Sequence, residues 1–375
     1  MLTCDVAVVG IGGVGSAALA HLAQAGADVI GLDRFSPPHI HGSSHGQTRV
    51  IRMAYFEHPD YVPLLRQAYR RWNDLQQATG RQLYFPTGVL QVGPEQGEVI
   101  AGTLRSAQQH QLAIQQFSCE QIAEEFPGVV PPEDCIGILE RDAGYLLVAD
   151  CIQAYLDQAQ AHGATIKTDT PVRAWKHLGE TFELQTDGEV IHAKQLIISG
   201  GAWATQLLAD LNVPMTILRK HLYWYANEAS TYTRQAQFPV FLLETSGGIY
   251  YGFPQFDNQG VKLARHDGGQ PIASADQQTQ DEDPADRQAV ETFTAGHLPL
   301  LSQKLLHRQA CLYTVTPDHH FLVGTHPQHD GLHFAAGLSG HGFKFASALG
   351  EILYDLATKG QTNSPIGFLS PRRFS

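Results

Sequence analysis

Asp5-Val-Ala-Val-Val-Gly10 is a short apolar, β-branched run that stops at glycine, the pattern of a buried strand. Gly10-Ile-Gly12-Gly-Val-Gly15 follows, Ser16 to Gly26 carries helical spacing, and a second apolar run, Ala27 to Leu32, ends on Asp33. No other stretch narrows the fold so far. Gly10 suits a tight strand-to-helix turn, Gly12 lets backbone approach a pyrophosphate, and Gly15 lets the helix lie close on the strand. Phosphates at this point would meet unpaired N–H groups and the positive end of a helix dipole. Asp33, about 20 residues on, is placed to accept bonds from an adenosine ribose. A glycine-rich hairpin without a ligand would leave Asp33 with no partner. Dinucleotide binding is therefore the first expectation.

The 375 residues exceed one ordinary core and predict two domains. A net charge of −12 argues against nucleic acid or an anionic membrane surface as partner. Glycines and charges interrupt every apolar stretch before spanning length, and the first run lacks a basic lead, so a cytoplasmic chain without signal peptide is expected. Five cysteines, scattered and odd in number, predict neither a disulfide framework nor a Cys-based zinc site. His39, His41 and His45 have a spacing that could suit zinc or copper. They sit in a Gly/Ser loop without nearby carboxylates, and no metal site is assigned.

Asp60 is read as the N-cap of a helix whose buried face carries Tyr61, Leu65, Ala68, Tyr69, Trp72 and Leu75, with Gly80 at its end and Arg70 and Arg71 on the solvated side. Asp150 is read as capping a helix that runs to His162. Phe182 to His192 predicts a hairpin turning at Asp187-Gly188, and Leu196 to Ser199 another strand, ending on Gly200-Gly-Ala-Trp203. From Lys220 to Val315 the pattern is strand-rich, with Gln277 to Asp286 a solvated loop. Gly331 to Ala335 is a last strand, feeding Gly337-Leu-Ser-Gly340-His-Gly342-Phe-Lys344 and a helix to Lys359. Three glycine-marked strand ends suggest one large dinucleotide held by segments distant in sequence. A chain that leaves and re-enters its nucleotide fold suits FAD, which stays bound, better than a diffusible nicotinamide.

At this point the sequence resembles the monomeric sarcosine oxidase and N-methyl-L-tryptophan oxidase family of FAD-dependent amine oxidoreductases. The resemblance covers nearly the whole chain. It rests on His-Gly-Ser-Ser-His45-Gly-Gln-Thr-Arg49-Val-Ile-Arg52, Tyr-Tyr251-Gly-Phe-Pro, Lys262-Leu-Ala-Arg-His266, Cys311-Leu-Tyr313-Thr and Gly-Leu-Ser-Gly340-His-Gly-Phe-Lys344-Phe. The run from His266 to Asp276 leans towards the N-methyltryptophan branch. The implied fold class is α/β (α+β, two-domain). A discontinuous FAD-binding Rossmann-like domain (1–82, 146–219 and 316–375) interleaves with a mixed or antiparallel β-sheet substrate domain (83–145 and 220–315).

The resemblance implies FAD tethered covalently through Cys311. It implies oxidation of an N-methyl or cyclic amino acid to an imine, hydrolysis to formaldehyde and amino acid, and reoxidation by O2 to hydrogen peroxide. Lys262 matches the oxygen-activating position. One charge about 4 Å from a forming anion is worth roughly 4 kcal/mol at an effective dielectric near 20, on the order of several hundredfold in rate. Arg52 and Lys344 match the pair that grips the substrate carboxylate, and Tyr251 shapes the pocket. Arg49 and His45 match positions against the flavin, His266 and Tyr313 positions near the amine. Gly10, Gly12, Gly15, Asp33, Gly200, Gly340, Gly342 and Lys344 complete the expected cofactor contacts. A monomer is implied, acting on a small molecule, with no nucleic acid or membrane partner. Gln47 and Gly324 depart from the family pattern, each where an acid is expected. The rival reading from residues alone is an NAD-dependent dehydrogenase; within the family it is an oxidase of a cyclic amino acid such as pipecolate.

Overall fold

The computed structural model describes residues 2–374. Its first sheet is built on parallel strands in the spatial order Leu332–Ala336, Val190–Ile198, Leu2–Val9, Val29–Leu32 and Thr165–Lys167. Alternate side chains of the first strand point to opposite faces, as a pleated strand requires. Val6 and Val8 join a core with the helices Gly13–Gln24, Val148–Ala161 and Ala346–Lys359, while Ala7 and Val9 pack on Ile30, Leu196 and Phe334. The antiparallel strands Val172–His177 and Phe182–Thr186 extend one edge, with the predicted turn at Asp187-Gly188 leading into Val190–Ile198.

The second sheet has nine strands and is mostly antiparallel. Its middle runs Thr216–Tyr225, Val261–Arg265, Gly248–Phe253, Val240–Thr245, Val89–Pro94 and Cys135–Glu140. Leu305–Val315 pairs along the whole of Thr216–Tyr225, setting Cys311 opposite Lys220. Only Val240–Thr245 and Val89–Pro94 pair in parallel. The two large sheets thus draw on alternating stretches of chain. A small third sheet, Thr48–Ile51 with Gly144–Leu147 and Tyr84–Phe85, carries Arg49.

Several local expectations are corrected. Asp60 does not cap the Val62–Thr79 helix; it lies inside a preceding 3-10 turn, Pro59–Tyr61, whose cap is His58. Asp150 lies in the first turn of Val148–Ala161, favourable for the helix dipole but not the cap, which is Leu147. Arg71 is not merely solvated: its guanidinium pairs with Glu351 on the last helix and with Asp74. The segment read as a loop ends in a helix, Pro284–His297, capped by Asp283, whose carboxylate accepts the Ala285 and Asp286 N–H groups at 3.1 Å. Gly80 ends its helix in the left-handed conformation as expected, at φ 67°. Among the described residues no helix is long and apolar enough to cross a membrane.

Candidate active site

The glycine-rich turn builds one wall of a cavity. Gly10 has φ 84°, and a Cβ there would lie 2.5 Å from Gly200 Cα. A Cβ on Gly15 would meet the Gly10 carbonyl oxygen at 1.9 Å, so the helix can sit on its strand only without a side chain. A Cβ on Gly12 would meet nothing nearer than Ser44, at 3.8 Å. That position is left open to the cavity, as backbone approach to a phosphate needs. Gly10, Gly12, Asp33, Arg49, Gly200, Tyr313, Gly340 and Gly342 all line this space. Gly15 packs beneath it.

Asp33 differs from its expected state. Its Oδ2 accepts the Ile11 N–H at 2.9 Å, its Oδ1 accepts the Phe35 N–H at 3.0 Å, and His39 Nε2 stands at 3.4 Å. The carboxylate thus has protein partners of its own: it braces the glycine-rich turn while still facing the cavity.

A second cavity adjoins the first. Arg49, Tyr313, Gly340 and Phe343 line both, so the two spaces meet at these residues. Its polar end holds Arg52, Glu57, His266, His341 and Lys344; Phe56, Val89, Val240, Leu242, Tyr251 and Phe253 form apolar walls. Arg52 is buried and gives Nη2 to both Glu57 oxygens, at 3.1 and 2.9 Å. Its Nε and Nη1 have no partner. The ring faces of Tyr55 and Phe56 cover the guanidinium at 4.5 and 4.6 Å. Lys344 Nζ, also buried, donates to the His341 carbonyl at 2.9 Å, which leaves ammonium protons to spare. Burial, then the Arg52 charge, lowers the Lys344 pKa to about 7. Buried cations with free donors and one carboxylate among them form an anion site in waiting.

Basic groups also stand in and behind the cavity walls. Arg49, in the wall, donates to the Thr48 carbonyl at 2.9 Å and the Ser43 carbonyl at 2.8 Å, and meets no carboxylate among the described residues. Lys262 is buried and donates to the Gly46 and Thr48 carbonyls at 2.6 and 2.7 Å, its Nζ 4.6 Å from the Phe253 ring centre. Burial and the Arg49 charge pull its pKa well down, so an anion nearby would favour its charged form. Cys311 is buried among Leu222, Trp224, Ala264, Tyr251 and Tyr313. Burial raises its thiol pKa; Arg49, Lys220 and Lys262 oppose that rise. Lys262, Cys311 and His45 belong to neither cavity lining. His45 has both ring nitrogens without partners, and burial followed by Arg49 lowers its pKa to about 3. Burial lowers His266 to about 3 as well, so its imidazole is neutral and adds no charge to the cavity it lines. Tyr251 is pushed up to about 12 by burial and stays protonated.

Some functional positions escaped the sequence reading. Glu57 holds Arg52, and its signal was only an acid inside an apolar stretch. Glu140 is buried and accepts the Met53 N–H at 2.7 and 2.9 Å and the Ala54 N–H at 2.7 Å, pinning the chain just after Arg52. No spacing announces a contact between residues so far apart. Gln47 proves well accommodated: it donates to Asp257 at 2.7 Å and accepts from the Trp224 indole at 2.9 Å. His39, His41 and His45 do not converge; the one such cluster among the described residues is Asp210, His326 and His329. There the Gln328 N–H points at His326 Nδ1 (3.2 Å), which leaves the ring proton on Nε2, facing Asp210 at 3.3 Å. That is the tautomer for a hydrogen-bonded turn, not for a metal ligand through Nε2.

The family model for the DAO group, FAD dependent oxidoreductase, matches residues 5–356. The chain belongs to that family. It is 37% identical to monomeric sarcosine oxidase of Bacillus sp. (strain NS-129), over 98% of this chain and 96% of that protein. It is also 37% identical to N-methyl-L-tryptophan oxidase of Escherichia coli O139:H28 (strain E24377A / ETEC), over 94% of each. Among solved structures, NikD, an unusual amino acid oxidase essential for nikkomycin biosynthesis, superposes with a TM-score of 0.87 at 22% identity, covering 99% of this chain and 98% of that one. L-proline dehydrogenase from P. horikoshii gives 0.85 at 20% identity, over 100% and 98%. These two likenesses show the fold. In this family FAD is the group to test against the first cavity, and the residues fit it. The open face at Gly12, the glycine-marked ends at Gly10, Gly200 and Gly340, and the buried, partnerless Thr314 hydroxyl on the lining match a polar, elongated ligand.

The Lys344 pKa fixes the sign of a pH effect. Its ammonium attracts a carboxylate below about pH 7 and loses that charge above it. For a carboxylate inhibitor that carries no amine, Kd is expected to rise with pH through about 7, by about tenfold per unit at most. Lys344→Met should weaken binding at low pH and flatten the profile, measured by titration of the flavin absorbance.

Proposed function

We propose that this chain is an FAD-dependent oxidase of secondary amino acids. An N-methyl amino acid, water and O2 give formaldehyde, the primary amino acid and hydrogen peroxide; a cyclic amino acid gives one ring-opened amino acid that carries the carbonyl, with hydrogen peroxide. The observation that carries the reading is the paired Arg52 and Lys344. Both are buried, both have donors to spare, and both face a cavity that adjoins the one at the glycine-rich turn. The relatives named as sarcosine and N-methyltryptophan oxidases support the substrate class.

FAD, when bound, supplies the hydride acceptor and passes electrons on to oxygen. The protein's own groups do the rest. Arg52 and Lys344 hold the substrate carboxylate, the first with free Nε and Nη1, the second with its remaining protons. Neutral His266 and the protonated Tyr251 and Tyr313 surround the amine end without adding cationic charge, which favours the unprotonated amine that oxidation needs. The apolar walls exclude water from the reacting carbon. Arg49 and Lys262 hold positive charge where negative charge develops. Cys311 is proposed as the covalent anchor of FAD. The reading includes the two interleaved domains as bounded above and a cytoplasmic monomer.

A panel of sarcosine, N-methyltryptophan, pipecolate and the matching N-methyl amines without carboxylate decides the reading. Purified yellow protein should release peroxide with at least one acid. It should lose at least a hundredfold in kcat/KM on the partner amine, as fits the loss of about 3 kcal/mol from a buried charge pair. No peroxide from any acid, or equal turnover of acid and amine, would overturn it. Acid precipitation of the wild type should leave yellow colour in the pellet, whereas Cys311→Ala should release all its FAD to the supernatant. Lys262→Met should be reduced by substrate at an ordinary rate but reoxidise by oxygen on the order of a hundredfold more slowly in stopped flow, by the loss of one buried charge.

A further inference from the structure

Cys119 and Cys135 lie 16 positions apart in sequence, with their sulfurs 3.2 Å apart. Cys119 opens the short helix Cys119–Glu125, and Cys135 opens the strand Cys135–Glu140. The edge strand Gln115–Ser118 pairs antiparallel with that strand, ending at Ser118 opposite Ile136. The chain turns into the helix at Cys119, immediately after the last paired residue, while Cys135 immediately precedes Ile136 on the partner strand, so the two cysteines flank the end of the ladder. The helix Cys119–Glu125 and the proline-rich stretch after it join the pair. Of the five cysteines, Cys119 alone is not fully buried. Its Sγ also meets the Pro132 carbonyl at 3.2 Å, which fixes the side chain towards its partner.

We propose that Cys119 and Cys135 form a peroxide-responsive disulfide that staples this sheet edge. The oxidant is hydrogen peroxide. The proposal rests on the oxidase reading only for its local source, since the enzyme's own product would supply it. Cys119 Sγ, on the less buried of the two residues, attacks one peroxide oxygen; the O–O bond breaks, an S–O bond forms, and one water leaves. Cys135 Sγ then attacks Cys119 Sγ; the S–O bond breaks, the S–S bond forms, and the second water leaves. Two thiols lose two hydrogens and two electrons, and one peroxide becomes two waters. Burial pushes the Cys135 thiol pKa up to about 12, which leaves Cys119 the first of the two sulfurs to meet peroxide. The bond would close the loop that holds the short helix and the prolines, limiting its freedom in the unfolded chain. An enzyme that makes peroxide would thereby become harder to unfold as it works.

The test is a peptide map of the purified holoenzyme after treatment with added hydrogen peroxide and alkylation without reductant. A linked peptide pair carrying Cys119 and Cys135, lighter by two hydrogens and separated by dithiothreitol, is expected, with Cys4 and Cys151 still alkylated. The oxidised protein should melt a few degrees higher than the reduced one, by roughly the entropy of one closed loop. Cys135→Ser should instead accumulate a sulfenic acid at Cys119, trapped by a carbon-acid reagent. Both thiols fully alkylated after peroxide, or Cys119 driven to sulfinic acid in the wild type without a linked peptide, would overturn the proposal. Linkage by added peroxide but not during aerobic turnover with an N-methyl amino acid would count against the oxidase reading and leave the disulfide standing.

Discussion

Positive charge is concentrated where water is scarce, and the arrangement of this molecule is built to tolerate it. Arg52, Lys262 and Lys344 are all buried, with Arg49 between the two cavities. Among them only Arg52 has a carboxylate against it, from Glu57. Arg49, Lys262 and Lys344 donate to backbone carbonyls instead, and aromatic rings stand over Arg52, Lys262 and Lys344. Such partners reduce the desolvation cost without cancelling the charge. The field that remains is available to anions that enter, which under the proposed function are a substrate carboxylate at one end and the reduced cofactor at the other.

Holding those groups together requires that distant segments be rigid. Glu140 fixes the backbone after Arg52 with three close hydrogen bonds from the sheet that forms the pocket wall. Trp72 donates its indole N–H to the Lys344 carbonyl at 2.9 Å, tying the Val62–Thr79 helix to the loop that presents the lysine. The glycine-rich turn is held in the same way, by Asp33 and by contacts too close for a side chain at Gly10 and Gly15. The fold therefore supplies preorganisation at both ends of the site: Glu140 and Trp72 brace one end from outside the cavity linings, and Asp33 and Gly10 brace the other from within one.

Local patterns were legible where one short segment carries the whole physical requirement. The strand, glycine turn, helix and acid at the start of the chain needed no partner to be recognised. The Val62–Thr79 helix was equally plain, because its apolar stripe buries Leu65, Ala68, Trp72 and Leu75 and its end is a left-handed glycine. The caps at Asp60 and Asp150 were misread because an acid in the first turn and an acid at the cap satisfy the same dipole. The Pro284–His297 helix was missed because it buries little, chiefly Val290, Phe293 and Thr294, and so shows almost no stripe.

The sequence by itself determined the nucleotide-binding start, the α/β class, and, through its resemblance, the set of residues to look for. These are decided by neighbours along the chain, where spacing and geometry are nearly the same thing. Only the tertiary structure decided that Arg52 and Lys344 share a cavity, that Glu57 and Glu140 hold the arginine, and that Asp33 already has backbone partners. It alone brought Cys119 to Cys135 and left His39, His41 and His45 apart. Those facts depend on strand register and on crossings between sheets, which bring together atoms tens or hundreds of residues apart, and no one-dimensional pattern encodes such distances.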